Sequence, residues 1–245
     1  MAIAPAGGHP ADCRGECSWI FSDLDERGLK ELRAMARPVS YDKGELIFQE
    51  GEPAFGFYVI CTGKVKLAKH SPQGKKQILK LLGPGEMLGE KTMFDREVYT
   101  AYAQTLEPTR MNFYQREPFI SFLEKHPSVA LKIIEKLVRE IKAFQDRLIE
   151  TSYGGSDERL ARLLLMMAQV YGTPEERGIY VGVDLSRSEL AEMAGISTET
   201  AIRTLSSFKE RGYVDLDGPK IYLRDRESLS KIAEPFEIRL KESLI

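Results

Sequence analysis

The residues best placed for chemistry in this 245-residue sequence lie on one predicted helix near the C-terminal end. Glu199, Ile202 and Arg203 share the spacing of a single helix face, and Ser206 follows one turn later. An arginine can donate two hydrogen bonds to guanine in the major groove of DNA, and a glutamate can accept one from the cytosine amino group. An apolar side chain between them suits the methyl group of thymine. This face is therefore predicted to read base pairs.

The surrounding residues predict a helix-turn-helix. Gly195 supplies the left-handed backbone that a tight turn between two helices needs, and Ser197 is placed to cap the second helix. The opposite face of that helix is apolar, with Ala201, Leu205 and Phe208. A solvated ion pair between the outward glutamate and arginine is the simpler alternative for the outer face. The predicted DNA-contacting residues are Ser186, Arg187, Ser197, Thr198, Glu199, Ile202, Arg203, Ser206 and Lys220.

The net charge of the predicted helix-turn-helix does not indicate DNA binding, but the location of its basic residues does. Residues 184–226 contain seven Lys/Arg and eight Asp/Glu, so they lack the basic excess typical of a DNA-binding unit. The basic residues are concentrated after the second helix and in a predicted hairpin that turns at residues 217–219, where they are placed to bind phosphates. They are Lys209, Arg211, Lys220, Arg224 and Arg226.

The sequence before the helix-turn-helix contains two different residue patterns. Residues 38–113 contain short apolar or alternating runs separated by glycines, a pattern that predicts an antiparallel barrel or jelly roll. The run from Pro127 to about Thr151 favours one long helix, whose apolar residues recur at steps of three and four. This heptad pattern predicts a dimer seam of Ile134, Leu137, Ile141, Phe144 and Leu148. Further apolar positions widen the stripe, so packing of the helix on its own barrel stays open beside dimerisation.

Composition excludes several classes of protein. The chain is 42% hydrophobic with a net charge of −2, so it is not a wholly disordered chain. Its apolar runs are too short to span a bilayer and its start does not resemble a secretory signal, which predicts a cytoplasmic protein without a membrane partner. A single histidine in the barrel segment is too few for a cupin-like metal enzyme. Catalytic-triad, P-loop and dinucleotide motifs do not occur, so the prediction is that the chain is not an enzyme.

The order of these parts resembles the CRP/FNR superfamily of bacterial transcription regulators. The likeness rests on Tyr41-Asp42-Lys43-Gly44-Glu45, Gly83-Pro84-Gly85-Glu86-Met87-Leu88-Gly89-Glu90, Leu185-Ser186-Arg187-Ser188-Glu189-Leu190-Ala191 and Ser197-Thr198-Glu199-Thr200-Ala201-Ile202-Arg203. It implies an α+β fold with an N-terminal antiparallel β-barrel, a long dimerisation helix and a C-terminal winged helix-turn-helix. The implied divisions are a flexible tail at 1–19, a cyclic-nucleotide-binding-like sensor domain at 20–126, the helix at 127–153 and the DNA-binding domain at 154–245. It also implies a homodimer that binds an inverted-repeat operator in double-stranded DNA and acts on RNA polymerase.

The resemblance raises the question of an effector, because the family's phosphate-binding cassette is only partly present. Its matching positions, the predicted effector pocket, are Gly89, Glu90, Tyr99, Thr100 and Ala101. Tyr99 stands where the cassette has an arginine, and the nearby Arg96, the alternative cation, is offset by three residues. A buried phosphate would then lack its cation, which argues against cyclic AMP.

The number and spacing of cysteines and histidines argue against a metal cofactor. An iron–sulfur cluster needs four thiolates and the chain has three cysteines, Cys13, Cys17 and Cys61. Three scattered histidines, His9, His70 and His126, likewise argue against haem. The spacing of Cys13 and Cys17 leaves a reversible thiol pair open beside two tail cysteines without a role. No cofactor is predicted with certainty.

Overall fold

The computed structural model describes residues 18–70, 76–95, 98–153 and 155–233, and the side chains at 95, 143, 144 and 146–153 fall outside that description. The chain divides into two compact units, residues 1–140 and 141–245. Elements that begin in the first unit are α1 (Glu26–Met35), β1 (Arg37–Tyr41), β2 (Leu46–Phe48), β3 (Gly56–Thr62), β4 (Val65–His70), β5 (Lys76–Leu82), β6 (Met87–Leu88), α2 (Thr92–Asp95), β7 (Tyr102–Thr105), β8 (Thr109–Gln115), α3 (Arg116–Lys125) and α4 (Pro127–Tyr153). Those of the second are α5 (Ser156–Tyr171), β9 (Thr173–Glu175), β10 (Gly178–Tyr180), α6 (Arg187–Ala194), α7 (Thr198–Glu210), β11 (Val214–Asp217), β12 (Lys220–Leu223) and α8 (Arg226–Ala233).

Two antiparallel sheets form the predicted barrel, with strand orders β1-β8-β3-β6 and β2-β7-β4-β5. Alternation along β3 gives its sheet two apolar faces: Ile60 packs between the sheets, whereas Phe57 and Val59 point the other way. That outer face is covered by helices, which contribute Leu32 of α1, Phe119 of α3 and Ile133 of α4 to one core. The predicted barrel and the long helix that follows it are both confirmed.

The second unit is a helix-turn-helix with a small antiparallel sheet of order β11-β12-β10-β9. The predicted hairpin is present, since Asp217 at the end of β11 pairs with Lys220 at the start of β12. Helix α7 buries Leu205 and Phe208, and the hydroxyl of its Thr204 donates to the Asp157 carboxylate of α5 at 2.8 Å. Within the described residues, no helix is both long and apolar enough to cross a membrane.

Candidate functional site

Side-chain caps fix the two helices of the helix-turn-helix. The hydroxyl of Ser186 accepts from the backbone N–H of Glu189, and the Glu189 carboxylate accepts from the N–H of Ser186 at 2.9 Å, so α6 begins with a capping box. Gly195 ends α6 with φ +65°, the left-handed conformation predicted for the turn. The hydroxyl of Ser197 then accepts from the N–H of Thr200 at 3.2 Å and begins α7. These contacts set the angle at which α7 leaves the turn.

Helix α7 has one buried and one exposed face. The buried side chains are those of Ala201, Thr204, Leu205 and Phe208. Glu199, Ile202, Arg203 and Ser206 are all exposed. Ile202 exposes 48% of its surface, an unusual position for an apolar side chain on a helix that already has a core-facing stripe.

The outward carboxylate and guanidinium of α7 are both open to solvent. Among the described residues, no ion pair joins Glu199 to Arg203. Hydrogen bonds from its own backbone N–H and from the Ser197 hydroxyl hold the pKa of Glu199 below its ordinary value. The carboxylate is therefore ionised, as an acceptor for a cytosine amino group must be.

Most of the other residues predicted to contact DNA also make contacts within the protein. The Arg187 guanidinium is half-buried and donates to the Gly218 carbonyl in the hairpin turn at 3.1 Å, and its burial lowers its pKa. The Lys220 ammonium lies 5.4 Å from the centre of the Tyr180 ring. Ser186 and Ser197 act as helix caps, and Thr198 is half-buried in the first turn of α7. Arg187 thus links the start of α6 to the wing formed by β11 and β12.

The charge balance of the wing depends on Arg177, a residue that sequence reasoning missed. Its guanidinium contacts the carboxylate of Asp215 at 2.7 Å and that of Asp217 at 2.8 Å. The hydrogen bond from Arg177 holds the pKa of Asp215 below its ordinary value. Arg177 precedes these two aspartates by 38 and 40 residues, so no local spacing in the sequence indicates the contacts. One guanidinium is therefore shared by two of the acids that argued against DNA binding, and it offsets one of their two negative charges.

The predicted effector positions include a buried tyrosine ring. Tyr99 is 6% exposed, stacks on Phe48 with ring centres 3.8 Å apart, and donates its hydroxyl hydrogen to the Gly56 carbonyl at 3.1 Å. Burial raises the pKa of Tyr99 to about 12, with smaller contributions from Tyr41 and Glu52. A β-carbon added to Gly89 would lie 2.9 Å from this ring. Ala101 is buried and Thr100 is exposed.

The acid of the pocket, Glu90, is paired inside the protein. Its buried carboxylate accepts from the Lys136 ammonium of α4, and Lys136 also donates to Glu140 at 2.7 Å. Sequence reasoning missed this contact, which joins residues 46 positions apart. A cyclic nucleotide brings a phosphate that needs a cation, whereas Tyr99, at the arginine position of the cassette, carries no charge. Arg96 lies outside the described residues, and the described residues of the cassette do not fit a cyclic nucleotide.

The candidate metal ligands are dispersed. Cys13 and Cys17 lie outside the described residues, and Cys61 is half-buried on β3, with its Sγ 3.9 Å from the Val59 carbonyl. His70 stacks on Tyr102, and His126 lies 3.4 Å from the Glu31 carboxylate. Among the described residues, no group of three or more histidine, cysteine or acidic side chains is arranged to hold a metal ion.

Helix α4 carries an exposed apolar stripe beside its buried one. The stripe consists of Leu131, Ile134, Val138 and Ile141, each between 55% and 62% exposed and spaced by steps of three and four. Leu137, which was predicted to lie on the dimer seam, is only partly exposed and packs against the barrel-side core with Ile133. The side chains of Phe144 and Leu148 lie outside the described residues. The exposed stripe therefore contains Ile134 and Ile141 of the predicted seam, with Leu131 and Val138 beside them.

Comparison with known proteins identifies both halves of the chain. Residues 38–126 match the cyclic nucleotide-binding domain, and residues 158–232 match the Crp-like helix-turn-helix domain. The chain is 30% identical to a CRP-like cAMP-activated global transcriptional regulator of Mycobacterium tuberculosis, over 87% of this chain and 96% of that protein. It is 27% identical to the nitrogen fixation regulation protein FixK of Bradyrhizobium diazoefficiens, over 95% and 97% of the two chains. The structure of FixK2 from Bradyrhizobium japonicum aligns with a TM-score of 0.70 at 24% identity, covering 82% of this chain and 98% of that one.

The relative from Mycobacterium tuberculosis is a transcriptional regulator and FixK is a regulation protein, which favours a regulator over the metal-enzyme alternative. The likeness also extends over both the barrel and the helix-turn-helix rather than over one common module. The chain therefore belongs to the CRP/FNR family of transcription regulators.

Proposed function

We propose that the protein is a homodimer that binds an inverted-repeat operator and acts on RNA polymerase, under the control of an effector or redox signal at the sensor domain. The observation that carries the DNA-reading part is the outward face of α7. Glu199, Ile202 and Arg203 are exposed there, while the opposite face is buried and capped in place. A rigid helix with an ionised acceptor, an apolar contact and a guanidinium on one side has the chemistry that major-groove reading requires.

The exposed stripe of α4 supports the homodimer. Four large apolar side chains in a heptad pattern on one helix are costly to leave in water and form a self-complementary surface for a second copy. Two recognition helices related by two-fold symmetry contact half-sites about one helical turn, roughly 34 Å, apart.

Selection from a random pool of duplex DNA by the full-length chain tests this function. We expect enrichment of an inverted repeat with a G·C pair in each half-site. Arg203→Ala should lose most of the preference at that pair, a loss of ~1–3 kcal/mol per bidentate contact. The matched control is Arg27→Ala, which removes an equally charged, 87% exposed side chain from α1 and should bind like the parent. Equal discrimination by the parent and Arg203→Ala would refute the reading role.

The nature of the signal needs a separate measurement. Native mass spectrometry and absorption spectra of protein purified without oxygen report a bound metabolite, metal, cluster or haem together. Repeating the operator-binding assay with reduced and oxidised protein tests the redox arm at Cys13 and Cys17. Equal affinity in both states, with no bound small molecule, would contradict a signal at the sensor domain.

A further inference from the structure

The sensor unit contains a buried ion-pair cluster where the family's phosphate cassette is matched. Glu90 lies between β6 and α2, in a turn where the Thr92 hydroxyl donates to the Gly89 carbonyl at 2.7 Å. Its side chain is only 5% exposed, and that of Lys136 only 10%. Charges this far from water are costly unless they are paired, so each of the two holds the other in place.

The cluster extends from this pair towards the surface. Glu140 accepts from Lys136, one helical turn earlier on α4, and lies 3.2 Å from the ammonium of Lys80 and 3.3 Å from that of Lys91. Lys80 also contacts Glu86 at 3.1 Å. Burial would raise the pKa of Glu140, but the hydrogen bond from Lys136 and the charges of the three lysines outweigh it and lower that pKa to about 2.

The charges of the cluster cancel. Three lysines are matched by three glutamates, so no surplus positive charge is available for an anionic ligand. Tyr99, at the arginine position of the cassette, is buried beside Gly89 and contributes no cation. The cluster instead connects two parts of the unit, because Glu90, Lys80 and Lys91 belong to the barrel and Lys136 and Glu140 to α4.

We propose that Lys136 takes the place of a bound ligand: its ammonium, seated on Glu90, ties the barrel to α4 and holds the DNA-binding form without a cyclic nucleotide. This inference rests on the proposed function, since it assigns the regulation of the same DNA-binding protein. An internal contact that stabilises one of two conformations shifts the equilibrium as a ligand would, provided that it is made in only one of them.

Operator affinity of full-length variants, measured without added nucleotide, tests the proposal. Lys136→Met should weaken operator binding between about 5- and 150-fold, the range of typical coupling between sites, and Lys136→Arg should retain near-parent affinity. The control is Lys142→Met, the same substitution at an exposed position of α4, which should bind like the parent. Because Lys136→Met leaves a buried carboxylate unpaired, Glu90→Gln provides a second variant of milder effect and should also weaken binding.

The double variant Glu90→Gln with Lys136→Met separates coupling from general damage. Its loss of affinity should be no greater than that of Lys136→Met alone, since Glu90→Gln removes no contact that Lys136→Met has left in place. Titration calorimetry with cyclic AMP and cyclic GMP should detect no binding to the parent. Parent-like affinity of both single variants, or a cyclic nucleotide that binds the parent and tightens its operator complex, would overturn the inference. A parent that selects no operator would instead contradict the proposed function.

Discussion

Replacing Ile141 with lysine should dissociate the proposed dimer. Ile141 is 58% exposed on α4, which corresponds to roughly 100 Å² of apolar surface, and covering it with a partner stabilises by about 2.5 kcal/mol at ~25 cal/mol per Å². Because a symmetric dimer loses the contact twice, the variant should lose about 5 kcal/mol, or roughly 10³- to 10⁴-fold in the dimer Kd. An ammonium at the seam adds a desolvation cost in the same direction.

Sedimentation velocity over a concentration series, paired with operator binding, measures this effect. Val170→Lys is the matched control: Val170 is 59% exposed but lies on α5, so the same change of charge and polarity should leave the dimer intact. Dimerisation and specific DNA binding should be lost together in Ile141→Lys. A variant that sediments as a dimer like the parent, or a monomer with full operator affinity, would refute the assignment of this stripe.

Three further predictions concern pH, the turn and base preference. Because the folded pKa of Glu140 is about 2, below its ordinary value of 4.5, its stabilising contribution should be complete above about pH 4.5 and be lost as the pH falls towards 2. Urea midpoints between pH 2 and 6 should therefore fall less steeply for Glu140→Gln than for the parent, and parallel slopes would contradict the assignment. Gly195→Ala forces a β-carbon into the left-handed region at φ +65° and should destabilise the fold by roughly 1–2 kcal/mol in thermal unfolding, with an unchanged melting temperature as the contrary result. Ile202→Ser removes the exposed apolar contact and should change the preferred base at one position of each half-site by ~1–3 kcal/mol, whereas an unaltered selected sequence would exclude that contact.

Local pattern was sufficient for the elements that carry the fold. Glycine-separated alternating runs predicted the barrel because strands and their turns are short-range features. Gly195 and Ser197 likewise predicted the turn and the cap, since both act on their immediate neighbours. The same reasoning favoured Leu137 as a seam residue, because periodicity finds an apolar face but does not say which part of it another element covers.

The charge contacts at the predicted effector positions and at the wing could not be predicted from local sequence patterns. Lys136 has the sequence appearance of a solvated helix lysine, and its burial follows only from the placement of α4 against the turn that carries Glu90. Arg177 similarly offsets part of the acidic charge of the wing from 38 and 40 residues away in sequence. Long-range pairs of charges leave no trace in local spacing, so neither was predictable from one sequence.

Helix α4 is the element on which both proposals depend, because its two faces have different partners. One face contributes Ile133 to the barrel-side core and seats Lys136 on Glu90. The other exposes Ile134 and Val138, the stripe proposed to meet a second copy. Because these few residues form one continuous helix, its two faces move together. A change of contact on the face that carries Lys136 is therefore expected to change the direction of the exposed stripe as well. If the stripe is the proposed contact with a second copy, an event inside the barrel is expected to alter that contact through this one helix.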